Sequence, residues 1–173
     1  NFKIEIILDN KSELLNIYLK NIPLHKNILI QTPTNLKSLI NIIEKIQYGI
    51  FIDSGPLHVA KILNKKGILL ISSVKSEILL TNFNSIKPIM GTYKSSFCNE
   101  PCGLINAFSY NSNYGCYDSL GVNKNKILEL TNKKQLQRGS LKNFYIDIFK
   151  HGVNCFKGID KNKIINIIKQ DIY

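Results

Sequence analysis

GIFIDSGPLHVAKILNKKGILLI, residues 49–71, contains two wholly apolar runs separated by a segment of helix length. A strand whose sheet is covered by helices on both faces needs such a continuous apolar run. We therefore predict strands at 49–52 and 67–71 and a helix from about 56 to 64. Two strands joined by a helix lie parallel in one sheet, with a right-handed crossover.

The residues before this unit repeat the alternation of strand and helix. Apolar runs predict strands at 2–8 and 28–30, with a short helix at 12–20 between them. A helix at 35–47 is the most regular of the chain, and Thr34 or Asn35 can cap it. Its apolar residues recur at spacings of three and four, at Leu36, Leu39, Ile40, Ile43 and Ile46.

The pattern weakens after about residue 72. We predict a short helix at 76–80 and a last strand at 86–90. Strands and helices that alternate with short connections are typical of an α/β fold, with an open parallel sheet and helices on both faces. Residues 2–90 should then form a mainly parallel sheet of about five strands.

The C-terminal part of the chain differs in composition. Residues 91–120 carry Cys, Gly, Asn, Ser and Tyr without period, which predicts a long loop. Three helices are predicted after it, at about 123–131, 141–150 and 160–171. We divide the chain into a ligand-binding domain at 1–120 and a helical extension at 121–173 packed on the same domain.

The length and composition allow one domain with a substantial core. The chain has 173 residues, of which 44% are hydrophobic, too few for two full-sized domains. It begins with Asn1 and a strand-like run, so we interpret its start as cut from a longer protein. These residues contain no run of roughly eighteen apolar residues and no secretory signal pattern.

Lysine dominates the charge of the chain. Lys and Arg number 23 against 12 Asp and Glu, for a net charge of +11. Such a charge attracts anions, including nucleotides, acidic glycolipids and nucleic acid. We favour a composition biased by an A+T-rich genome, because the lysines are scattered and not grouped with arginine and aromatic residues. We expect no nucleic-acid partner.

The turn between the strand at 49–52 and the following helix carries the candidate chemistry. Ligands of open parallel sheets bind beyond the carboxyl ends of the strands, where Asp53 stands. Gly55 lets a phosphate approach the backbone, Pro56 suits a first helical turn, and the free N–H groups of that turn attract a diphosphate. Ser54 and His58 add donors, and Asp53 can accept from sugar hydroxyls. The alternative is a structural turn, with Asp53 as a cap and His58 as an ordinary helix residue.

This turn resembles the signature of glycosyltransferase family 9, the ADP-heptose:lipopolysaccharide heptosyltransferases. The family pattern D-[ST]-G-x-x-H-x-A, between an apolar strand and a helix, reads DSGPLHVA at residues 53–60 here. The helix entry TNLKSLI at 34–40 is similar to the family's small polar entry into a Leu-rich helix. The likeness covers roughly residues 28–120 and, more loosely, the C-terminal helix.

The cysteines add to this resemblance. Cys98-x-x-Pro101-Cys102 and Cys116-x-x-x-Leu120 resemble a Cys-containing element that many members carry after the last strand of the sheet, and Cys155-x-x-x-Ile159 resembles the end of that element. There are also departures. QTP at 31–33 stands where the family often has Gly. The strand after the motif usually ends in Phe-Gly in the family, with a Thr shortly after, and ends here in Ile71-Ser72-Ser73.

The resemblance implies a GT-B architecture of two Rossmann-like domains, of which this chain is the C-terminal, donor-binding one. The missing N-terminal domain would bind the acceptor and supply the catalytic base, so no catalytic residue is expected here. The implied reaction is transfer of heptose from ADP-heptose to a lipopolysaccharide or other cell-surface glycan, without metal or cofactor. The implied location is cytoplasmic, with peripheral contact to the inner membrane left open. The implied donor-binding residues are Asp53, Ser54, Gly55, Pro56, His58, Ser72 and Ser73.

Other interpretations stay open. One is a non-catalytic nucleotide- or sugar-binding domain that keeps the fold without the chemistry. A sugar-nucleotide epimerase is disfavoured, because no G-x-G-x-x-G follows the first strand. For the cysteines, a zinc site with Cys155 or His151 as fourth ligand lacks the second close Cys pair that is typical of such sites. We favour a loop held by packing or by a disulfide.

Overall fold

A computed structural model of the chain describes residues 2–9, 19, 23–92 and 154–173. The strand predictions are confirmed, as are the helices predicted at 35–47, 56–64, 76–80 and 160–171, with ends that differ by a few residues. One further short helix, α4, was not predicted. In chain order the elements of the described residues are β1 (Ile4–Ile7), β2 (Ile28–Gln31), α1 (Leu36–Lys45), β3 (Gly49–Phe51), α2 (Gly55–Ile62), β4 (Gly67–Ile71), α3 (Ser76–Leu79), β5 (Ile86–Met90), α4 (Asn154–Lys157) and α5 (Lys161–Ile172).

The remaining predicted elements lie outside the described residues. They are the helix at 12–20, of which Leu19 alone is described and is helical, the loop at 91–120 beyond residue 92, and the helices at 123–131 and 141–150. The boundary between residues 120 and 121 lies there too. The division into two parts therefore stays a prediction.

All strand pairing in the described residues is parallel. β3, β4 and β5 form one sheet in that order, and β1 pairs with β2 in another. The prediction of one sheet of about five strands is therefore wrong in its continuity, although 49–52 and 67–71 are parallel neighbours as predicted. No backbone pairing joins the two sheets in the described residues, and β1 contributes to the core beside β3 and β4 through the side chain of Ile7. An apolar run predicts a strand but does not determine its hydrogen-bonding partner.

β4 lies between β3 and β5, and its side chains are buried on both faces of the sheet. Leu69 and Ile71 contribute to a core that includes residues of α1, α2 and α3. Ile68 and Leu70 point to the opposite face, where α5 packs. This alternation follows from the two-residue period of a strand. The fold is thus a mixed α/β arrangement in which helices cover both faces of a small parallel sheet.

Two glycines in register bring β3 and β4 together. Gly49 pairs with Gly67, and the ring of Phe51 lies over both. A Cβ added at Gly67 would lie 2.8 Å from Phe51 Cε2 and would also meet the carbonyl of Gly49. Because backbone atoms cannot move aside cheaply, any side chain at Gly67 would push the two strands apart.

Local hydrogen bonds define the beginning of α1 and the end of α2. α1 begins with a capping box, in which Asn35 Oδ1 accepts from Ser38 N–H (2.9 Å) and Ser38 Oγ accepts from Asn35 N–H (3.2 Å). α2 ends in a Schellman motif, with Asn64 in the left-handed region at φ 49° and the N–H of Lys65 donating to Ala60 O (2.9 Å). Helix α2 therefore stops earlier than the predicted residue 64.

Asp171 attaches α5 to the sheet. It accepts hydrogen bonds from Tyr48 Oη (2.9 Å) and from Lys87 Nζ (2.5 Å). The bond from Lys87 holds the pKa of the Asp171 carboxyl below its ordinary value, although burial acts in the opposite direction. Burial raises the pKa of Tyr48, and its bond to Asp171 raises that pKa further. The three residues come from distant parts of the chain, so this cluster fixes the position of α5 over β4 and β5.

Acid should weaken the attachment of α5. The pKa of Asp171 in the folded state is lower than its unfolded value of about 3.9. Its contribution to stability is therefore present above the unfolded pKa and is lost as the pH falls through the folded pKa. We expect the difference in free energy of unfolding between the wild type and Asp171→Asn to be constant at about pH 6–8 and to shrink below about pH 4. Urea unfolding of both proteins over a pH series measures this difference.

Glu44→Gln is the matched control, because Glu44 is an exposed carboxylate whose side chain has no hydrogen-bond partner among the described residues. Its effect on stability should be small at every pH. A stability difference for Asp171→Asn that did not change with pH would contradict this role of the carboxylate.

Candidate functional site

The seven predicted donor-binding residues lie in the loop after β3, in the first turn of α2 and in the loop after β4, at one edge of the sheet. Asp53 and Ser54 connect β3 to α2, and Ser72 and Ser73 follow β4. Because β3 and β4 are parallel neighbours, both loops leave the sheet at its carboxyl edge. The structure thus brings the two groups of residues to the same edge, which is where open parallel sheets bind ligands.

The start of α2 is anchored by its buried side. Leu57 and Ala60 are fully buried in the core, and Val59 is nearly so. Asp53 and His58 are exposed, as is Gly55. Ser54, Pro56, Ser72 and Ser73 are half-buried. The apolar side chains therefore position the turn, while its polar side chains are left in contact with solvent.

The N-terminus of α2 lacks the side-chain cap that α1 has. Ser54 occupies the N-cap position, but its hydroxyl donates to Ile52 O (3.0 Å) and accepts nothing from the first turn. A Ser, Thr, Asn or Asp at this position usually caps an amide and contributes about 0.5–2 kcal/mol. The positive end of the helix dipole is therefore not neutralised by a capping group among the described residues.

The first turn offers fewer donors than the sequence predicts. Pro56 has no N–H, and the N–H groups of Leu57 and His58 lie 3.1 and 3.5 Å from Ser54 O. The amide of Gly55 is the remaining one of this turn. A Cβ added at Gly55 would meet nothing within 4 Å, so the space beside this amide is open. An anion at the turn would thus bind chiefly to one amide and the helix dipole, rather than to a row of amides.

Asp53 and His58 have no structural partner in the described part of the chain. Neither side chain makes a hydrogen bond or an ion pair with a described residue, and Asp53 does not cap α2, because Ser54 is the N-cap. The structural alternative and the ligand-binding one both stay predictions for these residues. Because both side chains are exposed, we expect their removal to cost little stability.

Sequence reasoning did not single out Lys75 as a site residue. It is exposed, stands at the N-cap of α3 and closely follows Ser72 and Ser73. The signal was its position, since it follows β4 much as the turn at Asp53 follows β3. Lys61, at the other end of α2, is by contrast engaged: its Nζ donates to Leu79 O (2.5 Å) and lies 4.7 Å from the centre of the Phe83 ring.

The described residues offer no metal centre, since no group of three or more His, Cys, Asp or Glu side chains in them could hold an ion. Cys155 is buried, and Ile159 packs against Ile68 and Ile89. Both named residues of the Cys155-x-x-x-Ile159 element are therefore buried in the core. The other three cysteines and His151 lie outside the described residues.

In the part of the chain that the structure describes, no helix has the length and apolar character needed to cross a membrane.

In comparisons with family models, curated proteins and solved structures, no match to the chain was found.

The two glycines of this region should respond differently to an added methyl group. Gly55→Ala should change the free energy of unfolding by less than about 1 kcal/mol, because its Cβ enters open space. Gly67→Ala should lower it by about 1–3 kcal/mol or more, because its Cβ meets the backbone of Gly49. Denaturant unfolding of the two variants beside the wild type measures both changes. Equal losses would mean that the turn at Gly55 is not open.

Proposed function

We propose that this chain is the donor-binding domain of a glycosyltransferase, which transfers a sugar to a lipopolysaccharide or other cell-surface glycan. The donor would be a nucleotide-sugar, with ADP-heptose as the specific candidate. The observation that carries the proposal is the turn between β3 and α2. There, an uncapped helix N-terminus, an open glycine and two exposed polar side chains without described partners lie together at the carboxyl edge of a parallel sheet.

Each part of the turn fits a different part of such a donor. The Gly55 amide and the dipole of α2 attract a phosphate, and the absence of a side chain at Gly55 lets it come close to the backbone. The carboxylate of Asp53 accepts hydrogen bonds from sugar hydroxyls, and His58 donates to a hydroxyl or to a phosphate oxygen. Ser72 and Ser73 add hydroxyl groups from the neighbouring loop. Lys75 adds a positive charge near that loop.

The charge at this edge also suits the reaction. When the glycosidic bond of the donor breaks, negative charge develops on the departing nucleoside diphosphate. Fixed dipoles and cations aimed at that charge stabilise the transition state more than the ground state. In this proposal the domain contributes the stabilisation of the leaving group, while Asp53 orients the sugar. The proposed reaction uses neither a metal ion nor a cofactor.

The fold supports the proposal at a coarser level. Parallel strands with helices on both faces are compatible with a Rossmann-like domain, the building block of the GT-B architecture. In that architecture a second domain, upstream of this one, holds the acceptor and the catalytic base. We propose that this domain acts with such a partner domain in the cytoplasm, with peripheral contact to the inner membrane as an open element of the proposal.

A second candidate is a domain that binds a nucleotide or sugar without catalysis. The observation that favours it is Ser72, since the strand that usually ends in Phe-Gly in glycosyltransferase family 9 ends here in Ile71-Ser72-Ser73. Half-buried serine side chains narrow the space where a glycine would let the substrate approach the backbone. The two candidates differ in one measurement, since both predict donor binding but only the first predicts turnover when the upstream domain is present.

ADP should perturb the turn when it binds. We expect chemical-shift changes or slower amide exchange at Ser54, Gly55, Leu57 and His58, whereas Pro56 has no amide to report. Gly55→Ala should weaken ADP binding roughly tenfold, which corresponds to about 1.4 kcal/mol, because its methyl group occupies the space that a phosphate needs. NMR titration with ADP measures both effects.

The control for this titration is the opposite edge of the sheet, where the amides of Lys66 and Gly67 should not change. Affinity of the isolated domain is expected to be low, so the titration should extend to millimolar ADP, where a binding energy of about 4 kcal/mol is still detected. Shift changes at the opposite edge but not in the turn would place the site elsewhere and refute the proposal.

Asp53→Ala and His58→Ala should reduce turnover of the longer protein that includes the upstream domain. Loss of one hydrogen bond to a charged group costs about 1.5–3 kcal/mol, or roughly ten- to a hundred-fold in rate if the bond acts in the transition state. Melting temperatures should change little, because neither side chain has a described partner. Both quantities are measured on the same preparation, with Glu44→Gln as the control variant.

A lowered melting temperature with normal turnover would support a structural role for these residues. Normal turnover together with a normal melting temperature would show that Asp53 and His58 do not belong to the site.

The 173-residue chain alone should not transfer sugar, because in this proposal the catalytic base belongs to the upstream domain. Incubation of the purified chain with ADP-heptose and an acceptor, followed by product analysis, checks this expectation. Transfer by the isolated chain would show that a base lies within it and would overturn the division of roles proposed above.

A further inference from the structure

We draw no further inference here: the strongest candidate, the exposed apolar side chains of Ile50 and Ile52 on β3 and just after it, carries nothing because nothing in the described part of the chain shows what covers them.

Discussion

The burial of β4 between two layers of helices is the constraint on which the rest of the structure depends. Ile68 and Leu69 are both fully buried, although they point to opposite faces of the sheet. Full burial of such a side chain contributes about 1.5–3 kcal/mol to the stability of the fold. These two adjacent residues therefore stabilise the packing of helices on both faces of β4. The pairing of Gly49 with Gly67 brings β3 against this strand, and β5 closes its other side.

The position of the candidate site follows from this arrangement. Helices that follow parallel strands on the same face all begin at the carboxyl edge of the sheet. α2 and α3 follow β3 and β4 and contribute to one core cluster, so their N-termini lie toward that edge. Asp53 and Ser72 stand there because β3 and β4 end there, and the buried Leu57 keeps the start of α2 in place. The scaffold thus positions the polar residues Asp53 and Ser72 at one edge of the sheet.

The N-termini of α1 and α2 differ in whether a side chain caps them. Asn35 and Ser38 close the N-terminus of α1 with reciprocal hydrogen bonds. Ser54 has the right chemistry to do the same for α2, but its hydroxyl is turned to Ile52 O. Helix α2 therefore lacks the stabilisation of about 0.5–2 kcal/mol that a side-chain N-cap provides. The missing cap also leaves the helix dipole exposed beside Gly55, which is the arrangement that an anion-binding turn requires.

The sequence by itself predicted the five strands and four of the helices of the described residues, and the edge of the sheet at which the candidate site residues lie. The apolar runs at 49–52 and 67–71 predicted two buried parallel strands, and the three- and four-residue spacing predicted α1, because the period of a pattern reports local geometry and burial. The Gly-Pro pair predicted where α2 begins, since both residues act on the backbone at their own position.

Only the tertiary structure decided how these parts combine. It separated β1 and β2 from the other sheet, turned the hydroxyl of Ser54 away from the first turn, and left Asp53 and His58 without described partners. It also joined Tyr48 to Asp171, 123 residues apart. The physical reason is that strand partners, side-chain hydrogen bonds and ion pairs depend on groups far away in the chain, which a local pattern does not register.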